Sequence, residues 1–160
     1  MKASDNRFTL LSDLEMIRKF ADVDRFDLDP CADRKSPTSQ RILHMFTPEI
    51  DGLKQDWFGH IFVNPPFSNI SPWIEKALDE KSRRNVQTIT LLLPANRTEQ
   101  PWWGQLWMAF NHDRAMYKRS PLIRWVSPRM KFGTPEDPHG TRKKNHPPFA
   151  CVLFKFWSVP

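Results

Sequence analysis

The sequence predicts an α/β fold, a three-layer sandwich that closes with a C-terminal β-hairpin, and three observations carry that reading. Two apolar runs of strand type, Ile61-Phe62-Val63 and residues 87–93, each stop at proline. Segments with apolar side chains at i,i+4 spacing alternate with them. With 160 residues, 39% of them hydrophobic, the chain suits one domain over residues 1–160 with a core that needs no metal or disulfide staple.

In chain order, Ser12-Asp13-Leu14-Glu15 reads as a capping box, and Leu14, Ile17 and Phe20 form the apolar stripe of a first helix. Residues 25–32 read as a short strand in which Phe26 and Leu28 alternate, closed by Asp29-Pro30. A carboxylate at the carboxyl end of such a strand sits where α/β sheets bind ligands. Residues 33–55 are polar and interrupted by proline, and little regular structure is expected there. After the strand at Ile61-Phe62-Val63, Ser71 is a good N-cap and Pro72 a good first helical residue, which predicts a helix from 71 to about 84. Residues 87–93 form a buried strand, and Ala95-Asn96-Arg97-Thr98 a loop at the same sheet edge. A helix over 101–110 follows, in which Trp102, Trp103 and Trp107 read as core, and then strands at 115–118, 122–126 and 130–132, the last paired with 149–157. Residues 133–148 are a long, basic, proline-rich loop, of a length that is usually functional or disordered.

The chemistry centres on Asn64-Pro65-Pro66-Phe67. Two prolines end the strand, because each lacks the ladder donor and fixes φ, and they push Asn64 out of the helical region. The Asn64 side chain and the Pro65 carbonyl can then line a rigid edge of acceptors beside one aromatic face. Such an edge suits a planar group with an exocyclic NH2, as in adenine or cytosine. Accepting both amine hydrogens draws the nitrogen towards tetrahedral geometry, which is catalysis by positioning and electrostatics. An amide is no base at neutral pH, so the proton leaves late, to water. Phe67 would stack on a base flipped out of the helix. The alternative is a proline turn after a buried strand, and four residues alone do not separate the two.

Charge points the same way. Residues 1–80 hold 10 Lys and Arg against 14 Asp and Glu, a net −4, whereas residues 81–160 hold 14 against 4, a net +10. A basic second half suits a phosphate backbone. Cys31 and Cys151 are too few for a disulfide framework, and the five histidines show no ligand spacing, so no metal is expected. No apolar run reaches the length of a membrane span, and the opening Met1-Lys2-Ala3-Ser4-Asp5-Asn6-Arg7 lacks a signal-peptide core, so no membrane and a cytoplasmic location are expected.

Taken together, these motifs resemble those of the phage and prophage DNA N6-adenine methyltransferases, the small Dam-like family. The resemblance runs through Asp29-Pro30-Cys31-Ala32, Asp51-Gly52-Leu53 with Trp57, Asn64 to Phe67 with Trp73, Leu92-Leu93-Pro94-Ala95 with Arg97-Thr98 and Trp102-Trp103, and Arg129-Met130-Lys131-Phe132 with Pro148-Phe149. It spans residues 8–156 in order, and its strength lies in the set. It implies a compact Rossmann-like methyltransferase fold, S-adenosylmethionine as cofactor, DNA as partner and a bacterial host cytoplasm as the place of action. It also implies that Asp29, Cys31 and Ala32 hold the methionine or ribose part of the cofactor, that Asp51 and Leu53 meet its adenine, and that Asn64, Pro65, Pro66 and Phe67 hold the target base. Arg97 and Arg129 either touch DNA or order loops around the site, and Arg142-Lys143-Lys144 are candidates for phosphate contacts. N4-cytosine methylation and glutamine N5-methylation use the same acceptor geometry, and a DNA-binding module without cofactor is the reading from another class. Recognition of a short or relaxed DNA sequence is expected, since no separate recognition domain is evident.

Overall fold

Why the longest apolar run sits where it does is plain from its neighbours. The computed structural model describes residues 7–142 and 147–159. In it, β5 (Val86–Pro94) has β4 (Gly59–Val63) on one side and β8 (Cys151–Trp157) on the other, and apart from Gln87 its side chains are buried. Strands covered on both faces lose the alternation of polar and apolar residues, which is what the run Ile89-Thr90-Leu91-Leu92-Leu93 shows.

The remaining elements are β1 (Phe8–Thr9), α1 (Leu11–Ala21), β2 (Leu28–Asp29), β3 (His44–Met45), α2 (Ser71–Glu80), α3 (Pro101–Met116), β6 (Leu122–Trp125) and β7 (Phe132–Gly133). Six strands form one mixed sheet in the order β3-β2-β4-β5-β8-β6. Strands β3, β2, β4 and β5 are parallel, whereas β8 is antiparallel to both β5 and β6, so β6 runs with the parallel set. The fold is therefore α/β with a mixed sheet, as the alternation of elements predicts. Residues 33–55 contribute only two short 3-10 turns, Pro37–Gln40 and Gly52–Lys54, and the two-residue β3.

The helices flank the sheet. Phe154 of β8 meets Trp103 and Phe110 of α3, with ring centroids 5.7 and 5.8 Å apart. The next side chain, Lys155, donates to the Ala21 carbonyl at the end of α1. Successive strand side chains point to opposite faces, so α1 and α3 lie on opposite sides of β8. Trp102 is buried as expected and Trp57 is buried as well, whereas Trp107, also read as core, is 42% exposed and stacks on Phe110.

Four expectations are corrected. The partners of β8 are β5 and β6, with Ile123 of β6 opposite Phe154, whereas Phe132 of the 130–132 stretch belongs to β7, which pairs with β1 through Phe8↔Gly133 and Thr9↔Phe132. The chain turns directly after β7, where Gly133 lies so close to the Pro138 backbone that a Cβ would overlap its carbonyl oxygen and Thr134 pairs with Asp137. Residues 115–116 belong to α3, not to a strand, because the Lys81 ammonium pairs with the buried Asp113 carboxylate at 2.9 and 3.1 Å and holds the last turns of the helix. Ser12 lies inside α1 and Leu10 occupies the cap position without a side-chain bond, so the capping box does not form. Helix α2 takes Ser71 inside it, with Ile70 in the cap position and no side-chain cap bond, and it stops at Glu80, short of 84, where Glu80 turns inward to buried partners described below.

Because β2, β4 and β5 are parallel, Asp29, Val63 and Pro94 end at one edge of the sheet, and the loops that follow them emerge side by side. Trp125 of β6 and Cys151 of β8 reach the same edge, since Trp125 is in register with Val152 and Pro94 with Cys151.

Candidate active site

That shared edge holds a cavity of about 330 Å³. Asp29, Cys31, Ala32, Asp51, Leu53, Asn64 and Pro66 line it, together with Arg7, Phe8 and Thr9 from the first strand segment. All five predicted cofactor residues and two of the four predicted base-loop residues thus converge, and Pro65 and Phe67 are buried outside the lining.

Asp29 sits at the end of β2 and is 5% exposed. Burial pushes its carboxyl up to about 7, against the pull of the Cys31 N–H, which donates to Oδ1 at 2.9 Å. Its backbone is stitched to the neighbouring chain, with the Asp29 carbonyl accepting from Phe46 N at 3.0 Å and Ala32 N donating to the Phe46 carbonyl at 3.1 Å. A carboxylate held in so dry a place calls for a donor or a cation from a ligand. Burial, reinforced by the Asp29 charge, raises the Cys31 thiol well above its ordinary value, so Cys31 lines the wall as a small apolar group and not as a nucleophile.

Across the cavity, Asp51 adopts a left-handed backbone, φ 57°, and accepts from Leu53 N at 3.3 Å, which starts the Gly52–Lys54 turn. Lys54 Nζ lies 2.9 Å from the Asp51 carboxylate and holds it below the usual carboxylate range. Gly52 is the contact between the loop after β2 and the Asp51 turn. A Cβ there would overlap the Pro30 carbonyl oxygen and come 2.8 Å from its carbon, with only backbone to give way. The turn is anchored from behind, since Trp57 Nε1 donates to the Gly52 carbonyl at 2.8 Å and Trp57 N donates to Glu80 Oε2 at 3.1 Å. Glu80 is fully buried, and Lys76 at 2.6 Å and Arg83 at 3.2 Å balance its charge. Gly52→Ala is expected to weaken binding of S-adenosylmethionine about fivefold or more, as overpacking of about 1–3 kcal/mol implies, and calorimetric titration measures it.

Asn64 leaves β4 at the same edge. Its Nδ2 donates to the Arg7 carbonyl at 2.9 Å and to Thr9 Oγ1 at 3.2 Å. Its Oδ1 is buried and has no hydrogen-bond partner among the described residues. An acceptor left so costs about 1–3 kcal/mol, which an arriving donor recovers. Phe67 behind it meets Phe132 edge-on at 6.1 Å and Phe149 at 5.8 Å, and the Arg7 guanidinium lies 5.3 Å from its ring centroid.

Of the predicted DNA contacts, Arg97 and Arg129 are exposed and follow β5 and β6, so both stand at the cavity's edge of the sheet without lining the cavity. Arg129 donates to the Pro147 carbonyl at 3.5 Å. Arg142 is exposed, and its backbone N–H donates to Asp137 Oδ2 at 3.0 Å. Lys143 and Lys144 lie outside the described residues. No group of His, Cys, Asp and Glu among the described residues has the makings of a metal site. No helix among them is long and apolar enough to cross a membrane.

Sequence reasoning leaves Arg7, Ser36, Thr38, Thr47 and Asn69 out of the site, although all line the cavity. Ser36 and Thr38 are buried and bonded to each other at 2.8 Å, a pair of hydroxyls in a stretch that reads as an ordinary polar loop. The only signal for them is their position just after a carboxylate that ends a strand.

Comparison with known proteins adds an independent finding. The family model described as DNA N-6-adenine-methyltransferase (Dam) matches residues 14–160. A protein of Haemophilus phage HP1 (strain HP1c1) described as DNA N-6-adenine-methyltransferase is 26% identical over 132 residues, which cover 82% of this chain and 68% of that protein.

Proposed function

The chain belongs to the DNA N-6-adenine-methyltransferase (Dam) family and methylates the N6 amine of adenine in DNA; we propose that S-adenosylmethionine is its methyl donor and that Asn64 receives the target amine. The observation that carries the proposal is the unpartnered Asn64 Oδ1, a buried acceptor beside a buried carboxylate at one sheet edge. The mixed sheet, with the last strand inserted antiparallel between β5 and β6, supports a Rossmann-like methyltransferase fold in a single domain.

Asp29 accepts from the ribose or methionine part of the donor, Cys31 and Ala32 close that wall, and Asp51 with Leu53 flanks the donor's adenine. The fit rests on the cavity, on the close Gly52–Pro30 contact that shapes it, and on a desolvated carboxyl whose charge a polar ligand would satisfy. When bound, S-adenosylmethionine supplies an electrophilic methyl on a sulfonium sulfur, and the new C–N bond forms as the C–S bond gives its electron pair to sulfur. Asn64 Oδ1 and the Pro65 carbonyl accept the two amine hydrogens, which draws the N6 lone pair out of the ring. The methylated nitrogen is positively charged and loses one proton to water, since an amide cannot take it.

The flipped adenine stacks on Phe67, and to do so it replaces the Arg7 guanidinium that now covers that ring. Arg97, Arg129 and Arg142, with Lys143 and Lys144, contact phosphate and give the binding its salt dependence.

The test is methyl transfer from labelled S-adenosylmethionine to unmethylated DNA, followed by nucleoside digestion and mass spectrometry. N6-methyladenine is the expected product. N4-methylcytosine, or no transfer by a folded protein, overturns the proposal.

A further inference from the structure

We propose that Thr9 is a positioning residue of this site: with the Arg7 carbonyl, its hydroxyl fixes which end of the Asn64 amide is left for the substrate and in what plane it lies. The inference rests on the reading that Asn64 Oδ1 receives the target amine.

The two ends of an asparagine amide are nearly the same shape, and the terminal torsion is broad, so packing alone does not choose between them. Chemistry does choose here. A backbone carbonyl can only accept, so the amide atom 2.9 Å from the Arg7 carbonyl must be the nitrogen. Turning the amide over would set oxygen against oxygen and would present an NH2 to an incoming NH2. One bond to Arg7 still lets the amide pivot about that contact. The second, from Nδ2 to Thr9 Oγ1 at 3.2 Å, occupies the other hydrogen and fixes the plane. With both donors consumed, the acceptor is the side-chain polar atom of Asn64 left without a partner among the described residues.

Thr9 is itself held. It is 2% exposed, and its backbone pairs with Phe132 in the small β1–β7 sheet. The Phe132 ring packs edge-on against Phe67 of the same catalytic loop. The β1–β7 pairing is thus what brings Thr9 to Asn64. Strand β1 belongs to the reaction site although it is 55 residues away in sequence.

The test compares Thr9→Val, which keeps the shape and removes the acceptor, with Thr9→Ser, which keeps the hydroxyl. Each full-length variant is assayed for kcat and for KM towards DNA, with the Kd for S-adenosylmethionine and the melting temperature measured alongside. Thr9→Val is expected to lower kcat about tenfold, the worth of one hydrogen bond, with KM and Kd within about twofold of wild type. Thr9→Ser is expected to restore kcat to within about twofold. Should Thr9→Val fail to melt cooperatively, Thr9→Ala carries the same expectation. Wild-type kcat in Thr9→Val, or an equal loss in the serine variant, overturns the proposal. Asn64→Ala in parallel separates the two ideas. If Asn64→Ala is inactive and Thr9→Val is fully active, only the role of Thr9 falls; if Asn64→Ala is fully active, the reading of Asn64 falls and takes this one with it.

Discussion

Asn64→Ala lowers kcat for methyl transfer by about 10²–10³-fold, the loss that follows removal of one preorganised polar group from a reacting centre. The Kd for S-adenosylmethionine is expected to stay near wild type, because the proposed donor contacts come from Asp29, Asp51 and their loops and not from the asparagine. Asn64→Asp is no substitute at neutral pH. A carboxylate in that place faces the Arg7 carbonyl, which is 2.9 Å from the present nitrogen and has no proton to offer. Its kcat is expected to fall about as far as in the alanine variant and to recover as the pH drops and the carboxylic acid regains a donor. Single-turnover kinetics with pre-bound donor measure both. A variant lacking the amide that turns over at the wild-type rate would remove Asn64 from the mechanism.

Asp29→Asn separates binding from stability. Its folded pKa, about 7, stands above the ordinary 3.8, so the unfolded chain gives up this proton at lower pH than the native one. The native state of the protein without ligand therefore loses stability as pH rises from about 4 to about 7, and the full penalty persists above that. The gap corresponds to a penalty on the order of 4 kcal/mol at most. Asparagine carries none of it, so the variant should melt several degrees higher than wild type at pH 8 and within a degree or two of it at pH 4. Its affinity for S-adenosylmethionine should nonetheless fall at least about tenfold at pH 8, from loss of one charge-assisted hydrogen bond. In the wild type, binding should weaken below pH 7 as Asp29 takes up a proton. Scanning calorimetry and titration at the two pH values decide it. Equal melting temperatures at pH 8, or unchanged affinity, would count against a charged Asp29 as cofactor ligand.

How much of this was legible in the sequence depends on what each residue needs in order to show itself. Asn64 and Asp29 were legible because proline follows each, and a strand that meets proline has to end. The long buried strand β5 was legible for the same reason, with apolar residues up to Pro94. Strand β1 was not, since two residues have no period, and although a strand was legible near Phe132, its pairing with Thr9 depends on a turn at Gly133 that only the folded backbone reveals. The extension of α3 to Met116 was hidden because its last turns are held by the Lys81–Asp113 pair, 32 residues apart in sequence. Arg7 gave no signal at all: a lone arginine in a polar segment looks like any solvated charge until its guanidinium is found between Phe67 and Phe149, 5.3 and 5.4 Å from their ring centroids.

The place of β8 has a consequence for how the protein is made. Cys151–Trp157 is the partner that β6 has in the main sheet and one of two that β5 has, and it follows both of them in the chain. While a ribosome is still translating the segment before Cys151, β5 and β6 each present a bare row of backbone donors and acceptors, the kind of edge that recruits foreign strands. A nascent chain stalled there is exposed to aggregation and to proteases, and pairing across such sequence separation is slow to form. Synthesis of β8 is the event that lets the sheet close, so messages cut before this strand should yield chains that are degraded and not partly active enzyme.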